Sequence, residues 1–423
     1  MAGGTLKRDT LWMMGGNFLS LGFQAVYFVL IGRAIGSTQY GLFVGVASFL
    51  SVFGQFSTMG MELILVRDVS RDREHFARYW GTSLRVILLG FVVTTTASLA
   101  LGRFFLDKSV YHLIPGIAVA DLLFAKIALM ASKAFQGVGD FARSANVSVL
   151  TNVSKAITAA CLYGYVLFTK MPSSAQTWTH VYWIASMVSA VVAFALVTIY
   201  IGPAGRGHID RRSLVEGLGF MTSNSSISIY NDIDKTILVS RGMDEAAGTY
   251  SAAYRIVDVA SSPIYSVYSA AFPAFFREGA KGMRYAMQMA LKISRKTIPF
   301  SLAAAGLMFV SAGLLPYIFG QSFAGSVAAL RWLCLLPLIR SLHYAGGMTL
   351  TASVSQWYRT VQQVFVALLN VGLNLWLIPH YSWRGAAAAS LISDGTLAAL
   401  NWISVLWLMR SQERRWRAAA SQA

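Results

Sequence analysis

The chain has 423 residues, 56% of them hydrophobic and only 13% charged, about half the charged share of an ordinary soluble domain. Apolar runs of roughly 20 residues recur from end to end, the length a bilayer core of ~30 Å asks of a helix, and they exclude a single water-soluble core. The net charge of +17 is dispersed along the chain, a pattern that reports membrane topology and attraction to anionic lipid rather than nucleic acid, and the two cysteines, Cys161 and Cys334, lie inside apolar runs where they read as packing residues.

Taken in chain order, Lys7 and Arg8 precede an apolar run from Leu11 to Ile31 that superficially resembles a signal peptide. The run is too long and no small-residue cleavage pattern ends it, so it is read as an uncleaved first helix. Spans are predicted at roughly 11–32, 41–62, 80–103, 110–132, 144–168, 178–201, 214–240, 246–273, 298–319, 324–350, 358–378 and 386–409. About 22 of the 35 Lys and Arg residues fall in loops on the side of the N-terminus, among them Arg67, Arg71, Arg73, Arg78, Lys133, Arg143, Arg206, Arg211, Arg212, Arg277 and Lys281. The opposite loops hold about six: Arg33, Arg103, Lys108, Lys170, Arg241 and Arg384. The positive-inside rule therefore places both termini in the cytoplasm, as an even number of helices requires. External loops are short, which leaves no room for an external catalytic domain. The longest cytoplasmic connection, near 277–297, sets Met283, Tyr285, Ala286, Met289 and Leu291 among basic residues and reads as an interfacial amphipathic helix.

An internal repeat is visible. Leu30-Ile31-Gly32-Arg33 is followed by Tyr40-Gly41-Leu42-Phe43, and Leu238-Val239-Ser240-Arg241 by Gly248-Thr249-Tyr250. Each pair puts an Arg at the outer end of an odd helix and a Gly-x-aromatic at the start of the next. The six-helix offset implies two parallel halves, 1–205 and 206–423, an arrangement common in transporters.

At these residues, together with Gly60, Ala134-Phe135-Gln136-Gly137, Asp234-Lys235, Ala253-Tyr254-Arg255, Pro263, Phe272-Pro273 and Gly385-Ala386-Ala387, the chain resembles the polysaccharide-transporter or Wzx-type flippase branch of the MOP superfamily, which also holds the MATE exporters and the lipid II flippases. The resemblance implies an all-α integral membrane protein of about twelve helices in two six-helix bundles around a central cavity. It further implies alternating access that carries a polyprenyl-diphosphate-linked oligosaccharide across the bacterial inner membrane, with other polysaccharide-assembly proteins as partners. The two additional helices common in lipid II flippases are not found, which ranks the peptidoglycan precursor lower.

Ionisable groups within a span cost several kcal/mol unless they are paired, hydrated or face a cavity. Lys126 and Lys155 lie at similar depth on adjacent helices and have no acid on their own helical face, so they are the first candidates to receive a diphosphate. Arg255 and Arg340 are the candidates from the second half, the guanidinium offering bidentate geometry to phosphate oxygens. Arg85 and Arg331 lie close enough to helix ends to snorkel; Arg85 is kept as the weakest substrate contact. Local neutralisation competes with these roles where Arg255 faces Asp258, and Asp232 faces Lys235, at i,i+3. Asp121, Asp234, Asp258 and Asp394 are candidates for H⁺ or Na⁺ coupling. Asp394, lacking a basic neighbour on its own helix, stands first, with pairing across helices as its alternative. His343 reads as a hydrogen-bonded interior histidine. Gly15-Gly16, Gly217, Gly219 and Gly346-Gly347 permit close approach or bending, and Pro263 and Pro337 interrupt backbone bonding.

No phosphate loop, HExxH or metal-ligand cluster occurs, so neither a cofactor nor ATP hydrolysis is expected. A membrane glycan polymerase would carry a large external loop, which is missing here. The closer rival is a MATE-like antiporter of small organic cations, which would need an acidic cavity; the intramembrane charges lean basic instead.

Overall fold

In a bilayer every backbone N–H and C=O must be satisfied internally, and a helix does this within one segment. The computed structural model describes residues 2–207, 228–353 and 356–420, and these form helices and short connections with no strand among them. Seven of the helices are long and apolar enough to cross a membrane: Trp12–Arg71, Phe76–Phe105, Tyr111–Gly137, Ala175–Tyr200, Met283–Phe319, Tyr358–Tyr381 and Trp383–Ser411. The other predicted spans are also helical where described: Phe141–Thr169, residues 228–240, Asp244–Gly279, and the pair Ser326–Leu333 and Leu336–Ser353. The start of the seventh predicted span, with Gly217 and Gly219, and the loop residues Arg211 and Arg212 lie outside the described residues.

The chain forms two compact units, Met1–Gly248 with Ile318–Ser322, and Thr249–Tyr317 with Phe323–Ala423. Residues 228–248 thus cluster with the first unit, beyond the expected lobe boundary near 205. The physical reason is close backbone approach. A side chain at Gly45 would collide with Val239, and Thr236 Oγ1 lies 3.4 Å from the Gly45 carbonyl. A Cβ on Gly41 would strike the Asp244 carbonyl, and one on Gly248 would strike that of Ser37. The two glycines of the repeated Gly-x-aromatic motif therefore abut each other, the small-residue contact that membrane helices use where no hydrophobic force distinguishes neighbour from lipid.

The first two predicted spans are two helices within Ala2–Thr58 that meet at a sharp kink at Gly36 (φ 76°). Positive φ at this position suits glycine alone. The Ser37 N–H donates to Ser322 Oγ (3.2 Å) and Arg33 Nε to the Ile318 carbonyl (2.7 Å), which ties the bend to the Ile318–Ser322 segment. Beyond a left-handed Met59-Gly60 pair, the basic loop folds into the helix Met61–Arg71. Its Met61, Ile64, Leu65 and Val69, at helical spacing, join Trp80, Phe135 and Val197 in an apolar cluster of the first unit.

In the second unit the basic stretch near 277–297 is continuous with the ninth span in the helix Met283–Ser311, whose Met283, Ala286, Ala290 and Ile293 are buried while Tyr285 and Leu291 are exposed. Met283 packs with Leu350 and Val405, and Ala290 and Ile293 pack with Ala345 and Met348. The tenth predicted span is two helices that meet at Cys334-Leu335. Pro337 sits in the first turn of the second, where an amide hydrogen has no partner to lose, so it starts a helix rather than interrupting one. Pro263 does lie inside a helix, Asp244–Gly279.

Candidate functional site

The first unit gathers charge around one irregular turn. Within Tyr111–Gly137 the backbone widens into a π turn over Val119–Phe124, a feature that concentrates at functional sites. The Leu122 carbonyl accepts from Ser57 Oγ at 2.6 Å, and the turn carries Asp121. Tyr182, from Ala175–Tyr200, donates its hydroxyl to Asp121 Oδ1 at 2.6 Å and accepts from Lys155 Nζ at 2.9 Å. The Lys155 ammonium also lies 4.6 Å from the centre of the Tyr182 ring. Asp121 and Lys155 thus come from different helices and compensate each other through a neutral phenol.

Lys126, five residues on, is half-buried. A Cβ on Gly54 would lie 3.3 Å from its ammonium, so the absence of a side chain there makes room for the charge. Among the described residues the Lys126 ammonium has no hydrogen bond and no ion pair within 4 Å. Glu62 and Asp121 are the carboxylates that act on it through space, and Glu62 Oε2 is itself buried without a hydrogen-bond partner. Arg85 donates to the Gly207 carbonyl, which binds it to the chain's own backbone. Asp234 and Lys235 are both buried. The Lys235 ammonium donates to the Asn231 carbonyl (2.6 Å), Asp232 Oδ1 (3.2 Å) and Asp234 Oδ1 (3.2 Å), while Asp232 Oδ2 accepts from Ser51 Oγ at 3.1 Å. The expected Asp232–Lys235 pairing is present, with Asp234 as a second counter-charge.

In the second unit Arg340 is the centre. Its guanidinium donates to Tyr254 Oη at 2.7 Å, Asp258 Oδ1 at 3.0 Å and Ser261 Oγ at 3.4 Å, and lies 3.7 Å from Asp394 Oδ2. His343 Nε2 approaches the other Asp394 oxygen at 3.9 Å. Asp394 is 2% exposed, so its alternative reading, pairing across helices, describes its surroundings, whereas the Asp258 side chain is 42% exposed. The carboxylate at 258, expected to face Arg255 on its own helix, accepts from Arg340 on another; Arg255 is half-buried one residue from Tyr254. His343 is held by its backbone, its carbonyl accepting from Asn401 Nδ2 at 3.1 Å. Gly346 and Gly347 leave room for Asn401 and Arg359 respectively, the close approach predicted for that pair.

The lysines and carboxylates were legible as ionisable groups in apolar runs. Tyr182, Glu62 and Arg359 carry no motif, and Tyr254 stands in the sequence only as part of Ala253-Tyr254-Arg255. The available signal for the tyrosines was weak: a hydroxyl on a buried ring needs a partner, but the sequence does not name it. Glu62 and Arg359 sat at predicted span ends, where charge is ordinary.

A model for polysaccharide biosynthesis proteins matches residues 6–278. The chain belongs to that family. No curated protein matches it. Among solved structures, an inward-facing multidrug-resistance MATE transporter of the MOP superfamily superposes with a TM-score of 0.77 at 15% identity, over 94% of this chain and 96% of that one. The outward-facing form of a MATE transporter gives 0.60 at 15% identity over 96% and 97%. A MOP-superfamily transporter from Pyrococcus furiosus, described as having a binding pocket of reverse polarity that suggests a different function, gives 0.62 at 16% identity over 97% and 96%. The polysaccharide biosynthesis chain therefore has the all-α MATE fold of twelve helices in two bundles, and it is a multi-pass membrane protein.

Proposed function

We propose that the protein moves a polyprenyl-diphosphate-linked oligosaccharide across the bacterial inner membrane by alternating access, with both termini cytoplasmic and no covalent chemistry of its own. The observation that carries this reading is Lys126, a half-buried ammonium with neither hydrogen bond nor ion pair among the described residues, together with Lys155, whose hydrogen bond goes to a neutral phenol. A partly buried ammonium without a close counter-charge is left short of acceptors, and a diphosphate would supply them through charge-assisted hydrogen bonds. Arg340 is already held by two carboxylates and a phenol, so it and Arg255 are secondary contacts; Arg85, bonded to Gly207, is weaker still. The pair Lys126 and Lys155, which a phosphate and not an organic cation would bind, favours the flippase over an exporter of organic cations, and the same fold includes a transporter whose pocket is described as reversed in polarity. Asp394 and Asp258, two carboxylates around one guanidinium, are the better placed pair for H⁺ or Na⁺ coupling, ahead of Asp121 and Asp234.

The test is native mass spectrometry of the protein purified with its own lipids. A polyprenyl-diphosphate glycan should be retained by wild type and lost in the Lys126→Ala, Lys155→Ala double variant, with membrane insertion intact. Equal retention in both would remove these lysines from the site.

A further inference from the structure

The first unit has a cavity of about 600 Å³ lined by Trp12, Arg73, Asp140, Arg143 and Tyr200, none of which belongs to the charged turn. It lies among the residues that the charge pattern assigns to the basic side, close to Arg67, Arg71 and Arg78 in sequence. Trp12 is 48% and Tyr200 53% exposed, and Ile199 next to it is 73% exposed. Amphipathic rings at that position, followed by fully apolar surface, mark the level of lipid headgroups. The Arg143 guanidinium stacks 4.0 Å from the centre of the Tyr200 ring. It spends one donor on Asp140, whose other oxygen accepts from the Arg143 backbone N–H at 3.0 Å and so caps the helix. A guanidinium has five N–H donors, so Arg143 beside Tyr200 and bonded to Asp140 retains donors for an oxyanion. Arg73 is an exposed residue of the same lining, and the apolar lining, Phe135 and Ile201 among it, suits the glycerol and upper acyl region rather than a sugar.

We infer that this cavity binds the phosphate headgroup of an anionic phospholipid from the adjoining leaflet, with Arg73 and Arg143 as the phosphate ligands and Asp140 as an internal competitor for Arg143. The inference is independent of the transported substrate. A carboxylate already on Arg143 makes the site moderate in affinity and gives the proposal a signed test.

The full-length protein is placed in nanodiscs of phosphatidylcholine doped with phosphatidylglycerol, and retained lipid is counted by native mass spectrometry. Attraction of ~1 kcal/mol per basic residue corresponds to about fivefold in binding. Phosphatidylglycerol retention should therefore fall about fivefold for Arg73→Ala and again for Arg143→Gln, with phosphatidylcholine retention unchanged. Asp140→Asn keeps the cap and releases the guanidinium, so it should raise phosphatidylglycerol retention. Equal retention in all variants, a parallel loss of both lipids, or a fall in Asp140→Asn would each overturn the assignment. So would occupancy by added polyprenyl diphosphate that phosphatidylglycerol does not displace, which identifies the other lipid phosphate as the ligand.

Discussion

Replacing Arg340 by Met is the most informative perturbation of the second unit. The side chain keeps much of its length and apolar stem but loses the charge and the hydrogen bonds to Tyr254 (2.7 Å) and Asp258 (3.0 Å). Asp258 is partly exposed and can rehydrate, whereas Asp394 is 2% exposed and would lose the guanidinium 3.7 Å away while keeping His343 at 3.9 Å. Removing one partner of a buried ion pair costs about 3–5 kcal/mol, because the other charge is left uncompensated. The lower end applies, since the closest approach to Asp394 is 3.7 Å, longer than a charge-assisted hydrogen bond of roughly 2.7–2.9 Å. A loss of ~3 kcal/mol is expected in reversible unfolding in mixed micelles. Adding Asp394→Asn should restore part of it, with a coupling of about 1–2 kcal/mol in the double-mutant cycle. A single variant within ~0.5 kcal/mol of wild type, or a cycle that closes to zero, would refute the view that Arg340 neutralises Asp394.

Three further outcomes follow from the first unit. Tyr182→Phe keeps the ring under Lys155 but removes the hydroxyl between it and Asp121; a loss of about 2–4 kcal/mol is expected from two hydrogen bonds to charged groups, read in the same unfolding assay. Gly41→Leu, which would drive a side chain into the Asp244 carbonyl, should abolish correctly folded protein as judged by monodisperse elution, while Gly164→Leu, with open space around it, should not. Gly54→Ala displaces the Lys126 ammonium and should lower retention of the lipid-linked glycan with little change in stability; unchanged retention would show that Lys126 does not need its present position.

Much of this protein is written along one dimension. A bilayer demands about 20 apolar residues per helix, so composition and hydropathy were enough to place the spans, the all-α class and the ionisable residues within them. The repeated Gly-x-aromatic motif also marked positions that matter, although nothing linear indicated that Gly41 and Gly248 would touch. Pairing was a different matter. Helical periodicity reports neighbours three and four residues away on the same helix, and it anticipated Asp232 with Lys235. It could not anticipate that Asp258 and Asp394 would share Arg340, or that Asp121 would reach Lys155 through Tyr182. Those partners come from separate helices whose rotation about their axes is set by side-chain packing and by glycine contacts. Hydropathy carries no record of that rotation. The sequence by itself therefore determined what crosses the membrane and which charges travel with it, and the tertiary structure alone decided which of those charges are neutralised internally and that Lys126 is left without a partner among the described residues.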